Sequence, residues 1–171
     1  AFPAPFGDDT LRRLAGDPDP AVAFAAVRAL IAHGAEDNRL LPLARRLFDA
    51  GAGNAVVAAT LADFGTADDG ARLRQAAAGG TVAERSAAMR GLLRLGLDLP
   101  EGWAADPDEE VTRAALAVMP AARADAYRQQ LTALCNHPLS RLAEMARMAA
   151  VPLRPAEGEA RDLFELETEH A

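Results

Sequence analysis

Gly34, Gly65 and Gly96 stand 31 residues apart and then 31 again, and each closes a similar apolar stretch: AVRALIAHG, AATLADFG and AAMRGLLRLG. A fixed period of about 20–50 residues is the signature of a stacked repeat, in which each short unit buries its apolar face only against its neighbours. Segments laid out on this period begin at Asp17, Phe48, Gly79, Asp106 and His137, at spacings of 31, 31, 27 and 31. Apolar positions keep phase across them. Val22, Val111 and Leu142 align, as do Ala25, Ala87, Ala114 and Met145. Spacing of i, i+3 and i+4 predicts one buried helical stripe per segment.

A second, weaker helical pattern precedes each stripe: DDTLRRLAG, EDNRLLPLARRLFDAG, TADDGARLRQAAAGG, LPEGWAAD and ARADAYRQQLTALCN. The order is helix, tight turn, helix, repeated. Asp8, Asp9 and Thr10, and the run Thr66 to Asp69, supply capping chemistry at helix starts. Pro18, Pro20, Pro107 and Pro138 sit at turns or first helical turns, where a missing N–H costs nothing. Pro120 ends or kinks the fourth stripe helix. The fourth unit has lost about one turn from its first helix, which predicts a local irregularity there. No segment alternates apolar and polar residues for long, so the reading is all-α.

Composition narrows the function. The 171-residue chain carries a net charge of −7, and from Ala156 onward six acids face one Arg. The body is thus nearly neutral and the end acidic. Strong nucleic-acid binding draws on a basic excess to release counterions, which makes a nucleic-acid partner unlikely. All 18 basic residues are Arg; the codon usage of a GC-rich bacterial genome explains this more simply than avoidance of lysine-directed modification. The single cysteine forms no internal disulfide, and Cys135 with His137 is a lone C-x-H, too few ligands for a metal site. No membrane span is expected, since no run of 18 apolar residues occurs. The start, AFPAPFGDDT, lacks the basic and apolar regions of a secretory signal. The expected compartment is the cytoplasm, with a mature exported protein as the alternative.

The stretch LRRLAGDPDPAVAFAAVRALIAHG, echoed by DPDEEVTRAALAVM, resembles the short HEAT-like repeat of the phycobilin-lyase type. That pattern is an apolar helix, D-P-D-P-x-V, then A-x-x-A-L and a final Gly. The resemblance covers about residues 9–150. It implies a right-handed α-solenoid of about five helix-turn-helix repeats over residues 1–154, followed by an acidic helix or tail at 155–171. It also implies that the second helices line a concave binding surface. The pattern usually carries Arg just after the Val, where it bridges to the Asp of an adjacent turn. Here Ala23, Thr112 and Ala143 occupy that site and only Arg85 matches, so the ladder is expected to be incomplete.

No catalytic constellation is evident. GAGNAV at 51–56 lacks the strand and Lys of a phosphate loop and reads as a turn. Asp68-Asp69 and Glu109-Glu110 read as helix caps favoured by the macrodipole. The second helices carry Arg28, Arg85, Arg90, Arg94, Arg113, Arg141 and Arg147, with Arg28 and Arg90 at the same repeat position. Facing a groove, such a stripe suits carboxylates or phosphates; otherwise it is a solvated edge paired with nearby acids. Arg28, Arg85, Arg90, Arg113 and Arg147 are the candidate partner-binding residues. At the acidic end, Leu163, Phe164 and Leu166 either cap the last repeat or dock on a partner or on the Arg stripe. The expected function is a non-catalytic scaffold or adaptor that binds another protein, with no cofactor and no metal. The alternatives are a DNA-repair protein resembling the alkylpurine glycosylases built from HEAT-like repeats, and a bilin lyase or pigment-protein assembly factor.

Overall fold

The computed structural model of the chain describes residues 8–151. Among them every regular element is helical: α1 (Asp8–Leu14), α2 (Pro20–Ala32), α3 (Leu40–Asp49), α4 (Ala55–Phe64), α5 (Gly70–Gly79), α6 (Val82–Arg94), α7 (Glu109–Leu116), α8 (Arg128–Cys135) and α9 (Ser140–Ala150). The chain divides into two compact units, one through Ala115 and the other from Leu116.

Local chemistry explains where the helices start. The Asp19 carboxylate accepts from Ala21 N at 2.8 Å, and Pro20 occupies the first helical position of α2. Asn54 accepts from Val56 N at 2.9 Å and Val57 N at 3.1 Å, so the Gly-rich 51–56 segment is a turn ending in a cap. Thr81 and Glu84 close a capping box on α6, with Thr81 N donating to Glu84 Oε2 at 2.7 Å.

The three evenly spaced glycines turn out to do two different things. Gly34 (φ 88°) and Gly96 (φ 68°) adopt the left-handed conformation that ends a helix, each followed by the 6→1 bond of a Schellman turn: Ala35 N to Leu30 O at 3.0 Å and Leu97 N to Leu92 O at 2.9 Å. Gly65 is extended (φ −65°, ψ 168°) and is required for space, because a Cβ there would lie 2.2 Å from Leu61 O.

Burial follows the repeat spacing. Ala26, Val57, Ala88, Ala115 and Ala146, one per segment, are all 0–4% exposed. The aligned set anticipated from sequence is less uniform: Ala87 is buried, Ala114 and Met145 are half-buried and Ala25 is exposed. The core-facing position lies one residue further along, and in Ala-rich helices the two registers look alike. In the first unit α1 packs on α2, α2 on α3, α3 on α4 and α5 on α6; α4 and α6 share the most extensive contact. In the second unit α8 packs on α9.

Two stretches depart from the expected helices. LPEGWAAD yields only a 3₁₀ turn, Trp103–Ala105, in keeping with the missing turn of that segment. The helix expected over ARADAYRQQLTALCN begins instead as a 3₁₀ segment, Ala121–Tyr127, and becomes α-helical only at Arg128. Pro120 stands at the head of that 3₁₀ segment, and α7 has already ended at Leu116.

Candidate partner-binding face

The arginines of the second helices sort into two groups by what they touch. Arg85 holds Asp106 through both carboxylate oxygens, each at 3.0 Å, and donates to Gly80 O at 3.0 Å. This is the Arg-to-Asp bridge anticipated at the one matching position. Burial alone would raise the Asp106 carboxyl, but the bonds from Arg85 and from Asp108 N outweigh it and hold the pKa below the ordinary Asp value. Arg94 donates to Ala62 O and to Gly65 O, at 2.7 Å for the latter, and so satisfies carbonyls at the C-terminal end of α4. Arg113 pairs with Glu110 one turn away. In the second unit Arg147 donates to Cys135 O at 3.1 Å. Arg85, Arg113 and Arg147 are therefore engaged in internal contacts, while Arg141 is exposed on α9.

Arg28 and Arg90 form the other group, with the exposed Arg141 of α9 likewise unpaired among the described residues. Among the described residues neither makes a hydrogen bond or an ion pair. They occupy one position of the spacing read from the sequence, which Ala59, Ala117 and Met148 fill elsewhere, and none of these five residues is buried. Each also borders a shallow groove. Arg28 lines one of about 370 Å³ with Phe24, Leu47, Ala55 and Val56, between α2 and α4. Arg90 lines one of about 550 Å³ with Ala55, Ala59 and Ala83, between α4 and α6, whose lining also includes Asp108 and Glu110. Ala55 belongs to both, so the grooves adjoin over the start of α4. Val56 is left 38% exposed there.

Sequence reasoning treated Asp69 as a cap and missed its larger role. Its side chain is 0% exposed and takes two bonds from Arg45, at 2.8 and 2.7 Å, a third from Arg72 at 3.3 Å and a fourth from Thr66 N at 3.0 Å. Arg72 also binds Asp49 at 2.6 Å. Desolvation pushes the Asp69 carboxyl up, yet the Arg45 and Thr66 bonds and the two guanidinium charges win and hold it below the ordinary Asp value. The Thr-x-x-Asp spacing signalled the cap; the link across 24 residues to Arg45 had no local signal.

Cys135 and His137 do not form a site. The thiol is buried, and burial raises its pKa against the smaller opposing pull of Arg147. His137 Nδ1 accepts from Leu139 N at 3.2 Å at the start of α9. At neutral pH Cys135 is expected to react with a thiol reagent at least about tenfold slower than it does after unfolding, because reactivity needs the thiolate. Equal rates with and without denaturant would refute this.

Among the described residues no group of His, Cys, Asp and Glu is arranged to hold a metal, and no helix is long and apolar enough to cross a membrane. Leu163, Phe164 and Leu166 lie outside the described residues. Compared with protein-family profiles, characterised proteins and solved structures, the chain matches none of them.

Proposed function

We propose that the chain is a non-catalytic protein-interaction module, an α-solenoid of HEAT-like repeats that receives its partner on the face carried by α2, α4 and α6. Three features support the solenoid reading. Over the first three segments helices alternate as first and second members of a pair, one position per segment is buried in all five, and the register of Arg28 and Arg90 is unburied in all five. The single observation that carries the function is the pair of adjoining Ala-floored grooves, each bordered by an arginine that forms no ion pair among the described residues. Arginine is enriched at protein interfaces, whose cores are apolar and poor in charge, and Arg28 and Arg90 beside an apolar floor fit that much of the pattern.

A photo-crosslinking amino acid placed at Ala25 or Ala59, inside the living cell, tests this. A discrete protein adduct is expected from both positions and none from Gln75, which is exposed on α5. Adducts from all three positions alike, or from none, would remove the proposal.

A further inference from the structure

We infer that the partner presents an acidic peptide segment in which separated carboxylates flank apolar side chains; this deepens the protein-interaction reading and rests on it. The α2–α4 groove carries one charge in its lining, Arg28, beside Phe24, Leu47, Val56 and alanines. The α4–α6 groove sets Arg90 against Ala55, Ala59 and Ala83, with Asp108 and Glu110 along it. A ligand crossing Ala55 therefore meets one guanidinium among apolar side chains in the first groove, and a second guanidinium with two acids among small apolar side chains in the other. Arg90 is half-buried, and an apolar ligand laid over it would strip its water without supplying a counter-charge. A carboxylate supplies that charge and can take two parallel N–H bonds from the planar fork. A basic segment would face like charge at both arginines. A continuous polyanion such as nucleic acid would bring phosphates up to Asp108 as well, and to Glu110, which pairs with Arg113. Isolated carboxylates set among apolar groups fit this sequence of chemistries; an unbroken track of negative charge does not.

Fluorescence anisotropy on the full chain distinguishes the possibilities with four labelled probes: a short peptide of Glu, Leu and Phe, the same peptide with Lys for Glu, the same with Ser for Leu and Phe, and a DNA duplex. The acidic apolar peptide is expected to bind best, and its binding should weaken with added salt. The double change Arg28→Glu with Arg90→Glu should weaken it about tenfold or more, two exposed charge pairs being lost and reversed. The same variant should gain affinity for the Lys peptide, a result that a misfolded chain would not give. The inference falls if Glu and Lys peptides bind the unaltered chain alike, if the double change leaves binding as it was, or if the duplex binds more tightly than the acidic peptide. Crosslinks at Ala25 and Ala59 with no acidic-peptide binding would leave the interaction module standing and discard only this partner class. Loss of both would discard both.

Discussion

Asp69→Ala is expected to destabilise the chain by about 2–3 kcal/mol, which for a chain of this size lowers the melting temperature by about 5–10 °C. The side chain is fully buried and ties Arg45 of α3, Arg72 of α5 and the backbone of Thr66 to one carboxylate. Removing one member of a buried ion pair usually costs more, about 3–5 kcal/mol. Here Arg45 and Arg72 keep 32% and 27% of their side-chain surface, so water recovers part of the loss. The pH dependence follows from the same bonds. The folded pKa lies below the unfolded one, so the stabilisation is complete above the unfolded value of about 4 and fades as pH falls through the folded value. In thermal melts from about pH 6 to about pH 3, Asp69→Asn should lose less of its melting temperature than the unaltered chain does. Parallel acid curves for the two would contradict the assignment.

Gly91→Val is expected to cost about 3 kcal/mol or more, the upper range for overpacking a tight contact. Gly91 lies where α6 meets α4, and a Cβ there would sit 2.7 Å from Ala62 Cα and 2.9 Å from Ala62 Cβ. One contact is backbone, so the strain cannot be relieved by turning a side chain. Gly79 in α5 gives the contrast, since its Cβ would meet nothing within 4 Å. Gly79→Ala should therefore stabilise by about 0.5–1 kcal/mol through helix propensity alone. Denaturant melts of the two variants should move in opposite directions. A Gly91→Val chain as stable as its parent would mean that α4 and α6 do not approach this closely.

The second helices were legible because their signals are local. Pro20 after Asp19, and Thr81 three residues before Glu84, start a helix whatever lies around it. Which face those helices bury was harder to see. Ala25 and Ala26 are chemically identical, and only packing decides that the first is exposed and the second buried. The same limit governed the arginines. The resemblance marked Arg85 as a bridge to an Asp of an adjacent turn without saying which Asp; the structure shows it to be Asp106. Arg94 reaches carbonyls 29 and 32 residues earlier in the chain, and such a reach leaves no trace in nearby residues. Arg28 and Arg90 were singled out by register alone; that they stay unpaired among the described residues is a property of the assembled surface. The 3₁₀ path of Ala121–Tyr127 was missed because ARADAY has ordinary helix formers throughout, and the element follows directly on Pro120.

The ties between separate segments, Arg45 to Asp69, Arg72 to Asp49 and Arg85 to Asp106, all use guanidinium as the cation. Guanidinium keeps its proton across the whole range in which proteins are handled, whereas an ammonium in the same place would begin to give it up in strong base. These fastenings therefore have an acid release and no alkaline one. Strong base, above about pH 10.5, should leave these ion pairs charged where lysine-built counterparts would be losing their charge.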